Sequence, residues 1–496
     1  MMHWGDDLIE TSMGLDILGV RQVDQGVEIE LVNGITTISQ RARYLSILTW
    51  ALGEFQTRHA ETGYDQCDLL TFLSRLEFLV LAATYFEDET DHRDTSGTLG
   101  STRFAEALAE VRSGNSTRFP ENSTGSILGT YLSPCRAAGL LVDGGADASV
   151  PYKLTPRGRE IWQARRGLFD TFDATALLLE SDQLAVEDVK RAVPGFSLNR
   201  LCDATPERRL LREALRQPWG EGSLVAYEKF NATIEWISNL AEQSDDHATG
   251  FLSRNYNSAV EGANGPSIAF EWAEYEYRRR CHFALELVLS ALTETLGEFA
   301  EATISDVVSR WTDRYEPAPL IRSFFNETLT DWHEPASRWF GGVPAGLFVD
   351  GDIPYRSITA LSAENRLVAA VVILEVARRQ TEQLRRSGQI PRREAGLGER
   401  VIDRIEIARD GSFADLVVEL LNLVALAHLE TTFRKMAAGQ KCSLRFFLDG
   451  ERLRSTGLTV QAGRSGDRLT NVMRFLHDLG EFKLSDGKFS VIGGPV

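Results

Sequence analysis

Apolar residues return at every third or fourth position through residues 39–60, 171–192, 207–242, 270–300, 359–385 and 412–438. This is the period of an amphipathic helix, and runs this long exceed ordinary strands, so the pattern commits the chain to a mainly α fold. A chain of 496 residues outgrows one core, and a norm of about 100–200 residues per domain predicts a multi-domain helical protein. Polar punctuation divides it into an N-terminal helical domain (1–112), a small unit (113–170), a central helical body (171–385) and a C-terminal module (400–496). The stretches 87–101 and 113–126 read as exposed connections, 244–267 as a long exposed loop and 385–400 as a domain boundary.

Two places carry a different signature. Ile127, Leu128, Tyr131, Leu132 and Cys135 make a short amphipathic helix; GLLVD reads as a strand, GGADAS as a turn and PYKL as the return strand. Thr155 then caps a helix that begins at Pro156. Near the C-terminus, CSLRFFL reads as a strand that turns at Asp449-Gly450. A helix over 467–479 follows, burying Leu469, Val472, Met473, Leu476 and Leu479 with Asn471 and Arg474 on the opposite face, and a hairpin about Asp486-Gly487 closes the chain. Helix and hairpin together outline a small winged-helix (α+β) unit, expected near 125–165 and again near 440–496. The segment YKLTPRGREI, 152–161, resembles the LTxxGxxL stretch behind the wing of many winged-helix regulators.

Charge is unevenly spread. The chain has a formal net charge of -18, yet residues 431–474 hold Arg434, Lys435, Lys441, Arg445, Arg452, Arg454, Arg464, Arg468 and Arg474 against Asp449, Glu451 and Asp467, a local balance of +6. Neutralising nucleic-acid phosphates requires such a concentration of cations. Double-stranded DNA is therefore one expected partner, with Lys441, Arg445, Arg464, Arg468, Asn471 and Arg474 as the candidate contacts. An acidic surface, on a partner or on this protein's own body, is the other. Arg434 and Lys435 sit where a helix ends before Gly439, which favours cations by itself.

The five cysteines are scattered without a CxxC pair and read as buried, reduced thiols of a cytoplasmic protein. LVVELLNLVALAHL, 416–429, carries Glu419 and Asn422 and reads as a buried helix, so no membrane span is expected. Phosphate-loop, dinucleotide, HExxH and GxSxG motifs are missing, and no catalytic residue, metal or cofactor is expected. His92, within EDETDHRD (87–94), reads as part of a solvated acidic loop. Asp182, Asp188 and Lys190 have a spacing loosely like a nuclease core but fall on a helical pattern, and His428 reads as a core histidine. His477 could reach a phosphate or stand exposed. Arg278 to Arg280 are expected to pair with the glutamates of EWAEYEY on the same helix.

The stretch Gly14–Trp50 resembles the opening of uncharacterised prokaryotic proteins from defence-type gene clusters, which join a DxLGxxxxR segment to a PGxTxxxxRARY segment. Asp16, Leu18, Gly19, Gly34, Thr36, Arg41, Arg43 and Tyr44 match; Arg21 stands earlier than the pattern's arginine, and Asn33 replaces the proline. The resemblance implies a subunit acting beside a nuclease, helicase or ATPase in anti-phage or anti-plasmid immunity, and the leading expectation for the whole chain is a non-enzymatic DNA-binding or scaffolding subunit with protein partners in such a multi-subunit complex. The alternatives are a winged-helix transcriptional regulator and a nuclease-like effector whose site is assembled from distant residues. For Arg41 and Arg43 the plainest role is structural, pairing with Asp16 or Glu28.

Overall fold

A computed structural model of the chain describes residues 16–59, 66–86, 95–120, 126–144, 151–168, 172–262, 265–348, 352–386 and 396–492. The protein is mainly helical, 64% helix and 7% strand. The chain begins with α1 (Arg21–Leu31), α2 (Arg43–Arg58), α3 (Gln66–Phe86), α4 (Ala105–Arg112), β1 (Thr117–Arg118), α5 (Ser126–Ala137), β2 (Leu141–Asp143), β3 (Tyr152–Leu154) and α6 (Pro156–Arg166). It continues with α7 (Ala174–Glu180), β4 (Gln183–Leu184), α8 (Val186–Phe196), α9 (Thr205–Arg216), α10 (Leu224–Gln243), α11 (Ala248–Val260), α12 (Ser267–Phe299), β5 (Glu301–Ala302), α13 (Ile304–Arg314) and α14 (Pro319–Arg322). Last come α15 (Ala336–Gly342), α16 (Tyr355–Thr359), α17 (Ala363–Arg386), α18 (Leu397–Ile407), α19 (Phe413–Ala437), β6 (Phe446–Asp449), β7 (Arg452–Ser455), α20 (Leu469–Asp478), β8 (Phe482–Ser485) and β9 (Lys488–Val491).

These elements form two compact units, neither continuous in sequence: one joins Met1–Glu28 to Leu252–Gly466, the other Ile29–Phe251 to Asp467–Val496. The division differs from the sequential one expected at 112/113, 170/171 and 385–400. The reason is helix pairing between distant segments. In the first unit α17 and α19 both pack on α12, and Leu292, Val371 and Leu421 share one core. In the second, α20 brings Asp478 to the start of α2, where it takes the Ala42 amide and the Arg41 guanidinium, at 2.8 and 3.0 Å.

The first unit is centred on α12, about 50 Å long at 1.5 Å per residue and buried at every position from Trp272 to Leu285. A three-stranded antiparallel sheet of order β5-β7-β6 lies in the same unit. Trp339 stacks on Phe413 with ring centres 4.2 Å apart, fastening α15 to α19. The second unit is built on α2, buried from Arg43 to Gly53 and packed against α5 and α6. Its α5–β2–β3–α6 segment is a helix, an antiparallel hairpin and a helix, with Thr155 capping α6 through Gly158 N. Helix α20 and the hairpin β8–β9 complete the unit, the turn made by Asp486 and Gly487, both at positive φ.

Several expectations are corrected. The interval 244–267 contains helix α11, whose buried Phe251, Leu252, Tyr256, Ala259 and Val260 recur at helical spacing among small polar residues. The run 171–192 breaks into α7, β4 and α8, and 207–242 breaks at Pro218-Trp219-Gly220. Ser39 does not cap α2; it bonds Thr36 in the preceding turn. Cys202 is exposed, unlike Cys135, Cys281 and Cys442. The GGADAS turn, the stretch 87–94 with His92, and most of the 385–400 boundary lie outside the described residues.

Candidate functional site

The motif EYEYRRRCHFALE runs through the buried middle of α12, and charge there must be matched by charge. Arg278 reaches Glu274 one turn back, at 3.0 Å, and Glu399 of α18, at 2.9 Å. Arg280 reaches Glu276 in the same i,i+4 manner, at 3.1 Å, and Arg279 lies 3.6 Å from the same carboxylate. Burial pushes the Glu276 carboxyl up, but Arg464, Arg280 and Arg279 outweigh it and hold it below the ordinary range. One turn further, His282 is held between Asp24 Oδ2, at 2.7 Å, and Glu286 Oε1, at 3.1 Å. Burial alone draws this imidazole down; its two carboxylate hydrogen bonds prevail and raise it to about 10. With both ring nitrogens engaged, it is a charged clamp between α1 and α12 rather than a free base.

The island residues are placed largely within the protein. Arg464 hydrogen-bonds Glu276, at 3.1 Å, and pairs with Asp352. Arg445 is buried, its Nη1 donating to the Ser443 carbonyl. In the second unit Arg468 Nη1 donates to Ile35 O, Asn471 Nδ2 to Thr36 O, and Arg474 Nη1 to Ser96 Oγ. Asn471 is buried and Arg474 half-buried, so the face of α20 expected to point outward is turned onto residues 35–40. Lys441 is exposed. His477 Nδ1 donates to Phe482 O, at 2.9 Å.

Arg41 and Arg43 are structural in a way the sequence does not announce. Their partners are Asp478 and Glu207, not Asp16 or Glu28. Glu207 also takes Arg165 and Ser46, while Arg43 and Arg165 donate to the carbonyls of Pro194, Gly195 and Ser197 where α8 ends. Asp16 instead caps α1 by accepting from Arg21 N at 3.0 Å. Asp188 and Lys190 lie on α8 and Asp182 just before β4, with Lys190 paired to Glu187 and Asp182 to Arg75. Among the described residues no His, Cys, Asp and Glu group is placed to hold a metal ion.

The end of α19 presents another kind of surface. Leu426, Phe433 and Met436 are 53%, 56% and 40% exposed, and Leu426 and Phe433 stand two turns apart on one face, about 10 Å along the axis. The chain that follows lies against this helix: Arg445 N donates to His428 Nε2, and Thr432 Oγ1 meets Ser443 Oγ at 3.3 Å. Strand β6 then exposes Phe447 and Leu448 at the end of its sheet. Arg454 is the cross-strand partner of Phe447, so an exposed cation shares its face. Arg434 is exposed beside Phe433. The sequence counted these charges but not the apolar residues between them, because a helix with apolar residues on every side reads simply as buried.

Comparison with protein-family models, curated proteins and solved structures finds no match. Two helices, Asp68–Phe86 and Phe413–Ala437, are long and apolar enough to cross a membrane by composition, with 72% and 61% of their most apolar windows buried in the protein.

Proposed function

We propose that the chain is a non-catalytic scaffolding subunit of a prokaryotic anti-phage or anti-plasmid complex, and that the end of α19 docks an acidic, apolar segment of a protein partner. The observation that carries the reading is the exposed apolar set Leu426, Phe433 and Met436 on α19, with exposed Arg434 next to it. Exposed apolar residues at helical spacing mark interaction surfaces, and Arg434, beside Phe433, favours an acidic group on the partner. The defence setting is supported by the resemblance of Gly14–Trp50, and a cytoplasmic location by the scattered, unpaired cysteines. In the same reading α5 to α6 is a winged-helix-like unit, supported by its hairpin register and by the close seat of Gly158 under Leu140 O.

The test is co-purification with the products of adjacent genes. Leu426→Asp with Phe433→Asp is expected to abolish capture while changing the unfolding free energy by no more than about 0.5 kcal/mol per substitution, as exposed substitutions do. Capture at the parental level overturns the docking surface. Binding of duplex DNA that falls steeply with salt and survives the double substitution assigns the cations to phosphate instead.

A further inference from the structure

The α12 network has more donors than its carboxylates use. Arg280 is 1% exposed and spends Nε on Glu276, yet its Nη1 and Nη2 have no hydrogen-bond partner among the described residues. The hydroxyls of Tyr256 and Tyr355 and the Nε of Arg464 are buried and without a partner in the same sense. These groups converge. The Arg280 guanidinium lies 4.4 Å from the centre of the Tyr256 ring, and the Arg464 guanidinium 4.4 Å from that of Tyr355. Tyr256, Tyr355 and Arg280 are also close enough to act on one another electrostatically. A buried donor without an acceptor is destabilising, more so when charged, and several in one place form a concentration that an acceptor would relieve.

We propose that Arg280, Arg464, Tyr256 and Tyr355 form a binding site for a phosphate-type oxyanion. Arg280 and Arg464 share the Glu276 carboxylate, and Arg464 also holds the exposed Asp352, which an anion can replace. A tetrahedral oxyanion supplies several acceptor oxygens at once, as two planar forks and two hydroxyls require. The outer end of the site is the route in: Asp352 is exposed and Arg464 partly so, whereas Glu276 and Tyr256 are sealed. An entering anion competes with Asp352 for Arg464.

The site stands independently of the docking surface, and its test uses the full chain with inorganic phosphate. Phosphate at about ten times its Kd is expected to raise the melting temperature, because a ligand of the folded state stabilises it, while chloride at equal ionic strength is not. Tyr256→Phe and Tyr355→Phe keep the rings and remove one donor each, so each is expected to weaken phosphate binding by calorimetry about ten-fold. Arg280→Gln should abolish it; if that variant does not fold, the two phenylalanine variants decide. Adenosine monophosphate binding more tightly than phosphate identifies a phosphomonoester as the source, and weaker binding identifies free phosphate; both uphold the site. A response to phosphate no larger than to chloride, or parental binding by both phenylalanine variants, overturns it.

Discussion

His428 lies fully buried in α19 with both ring nitrogens engaged. The Arg445 amide donates to Nε2, so the proton must sit on Nδ1, which donates to Ile17 O at 3.1 Å. The ring is therefore neutral: burial above all, helped by the Arg445 and Lys435 cations, outweighs the upward pull of the Ile17 carbonyl and draws it down to about 4. A folded value below the unfolded one means the unfolded chain binds more protons between about pH 6.5 and 4, so stability falls as pH falls through that window, by about 3 kcal/mol from this residue. The expected readout is local: protection of the Arg445 amide from hydrogen exchange drops between pH 6 and 4, and a flat protection factor would refute the assignment. The sequence marked His428 as a core histidine, and the geometry agrees. It did not mark Arg468 or Asn471 as internal, because counting charges reports nothing about exposure and the partner of Arg468, Ile35, is 433 residues away.

Among the elements, α6 was legible from its first four residues. Thr155, Pro156 and Gly158 are a cap, a residue suited to the first turn, and a glycine whose added Cβ would overlap the Leu140 carbonyl oxygen. Gly129, exposed on α5, would place a Cβ in open space. Urea unfolding is therefore expected to show Gly158→Ala losing about 1–3 kcal/mol by overpacking and Gly129→Ala gaining about 0.4–1 kcal/mol from a stiffer unfolded chain; equal effects would contradict the close packing of α6 on β2. Helix α11 was missed for the converse reason. Its Gly, Ser and Asn residues are poor helix formers, and its apolar residues earn the helix only by packing within the fold. Helix α20 was found with the correct buried leucines, but an isolated amphipathic pattern cannot tell that its polar side is covered as well.

At the scale of the whole molecule the expected boundary at 385–400 loses its meaning as a place to cut. Residues of α18 and α19 share a core with α12 and α17, including Val401, Leu416, Leu420 and Val424. Burying each such side chain contributes about 1.5–3 kcal/mol, and removing the eleven Leu, Val, Ile and Phe residues that α18 and α19 place in this core exceeds the roughly 5–15 kcal/mol net stability of an ordinary domain. A fragment ending at Arg386 is thus expected to be insoluble or to lack cooperative melting; a soluble fragment with a sharp transition would restore the sequential division. What the sequence by itself determined is the helical class, the Thr155 cap of α6, the turns at Asp449-Gly450 and Asp486-Gly487 and the i,i+4 pairing of Arg278 and Arg280, since each depends on side chains within about four residues of one another. Only the tertiary structure decided which segments make up each unit, that Arg41 and Arg43 answer Asp478 and Glu207, and which cations remain outside, because burial and charge pairing join groups whose separation along the chain leaves no local trace.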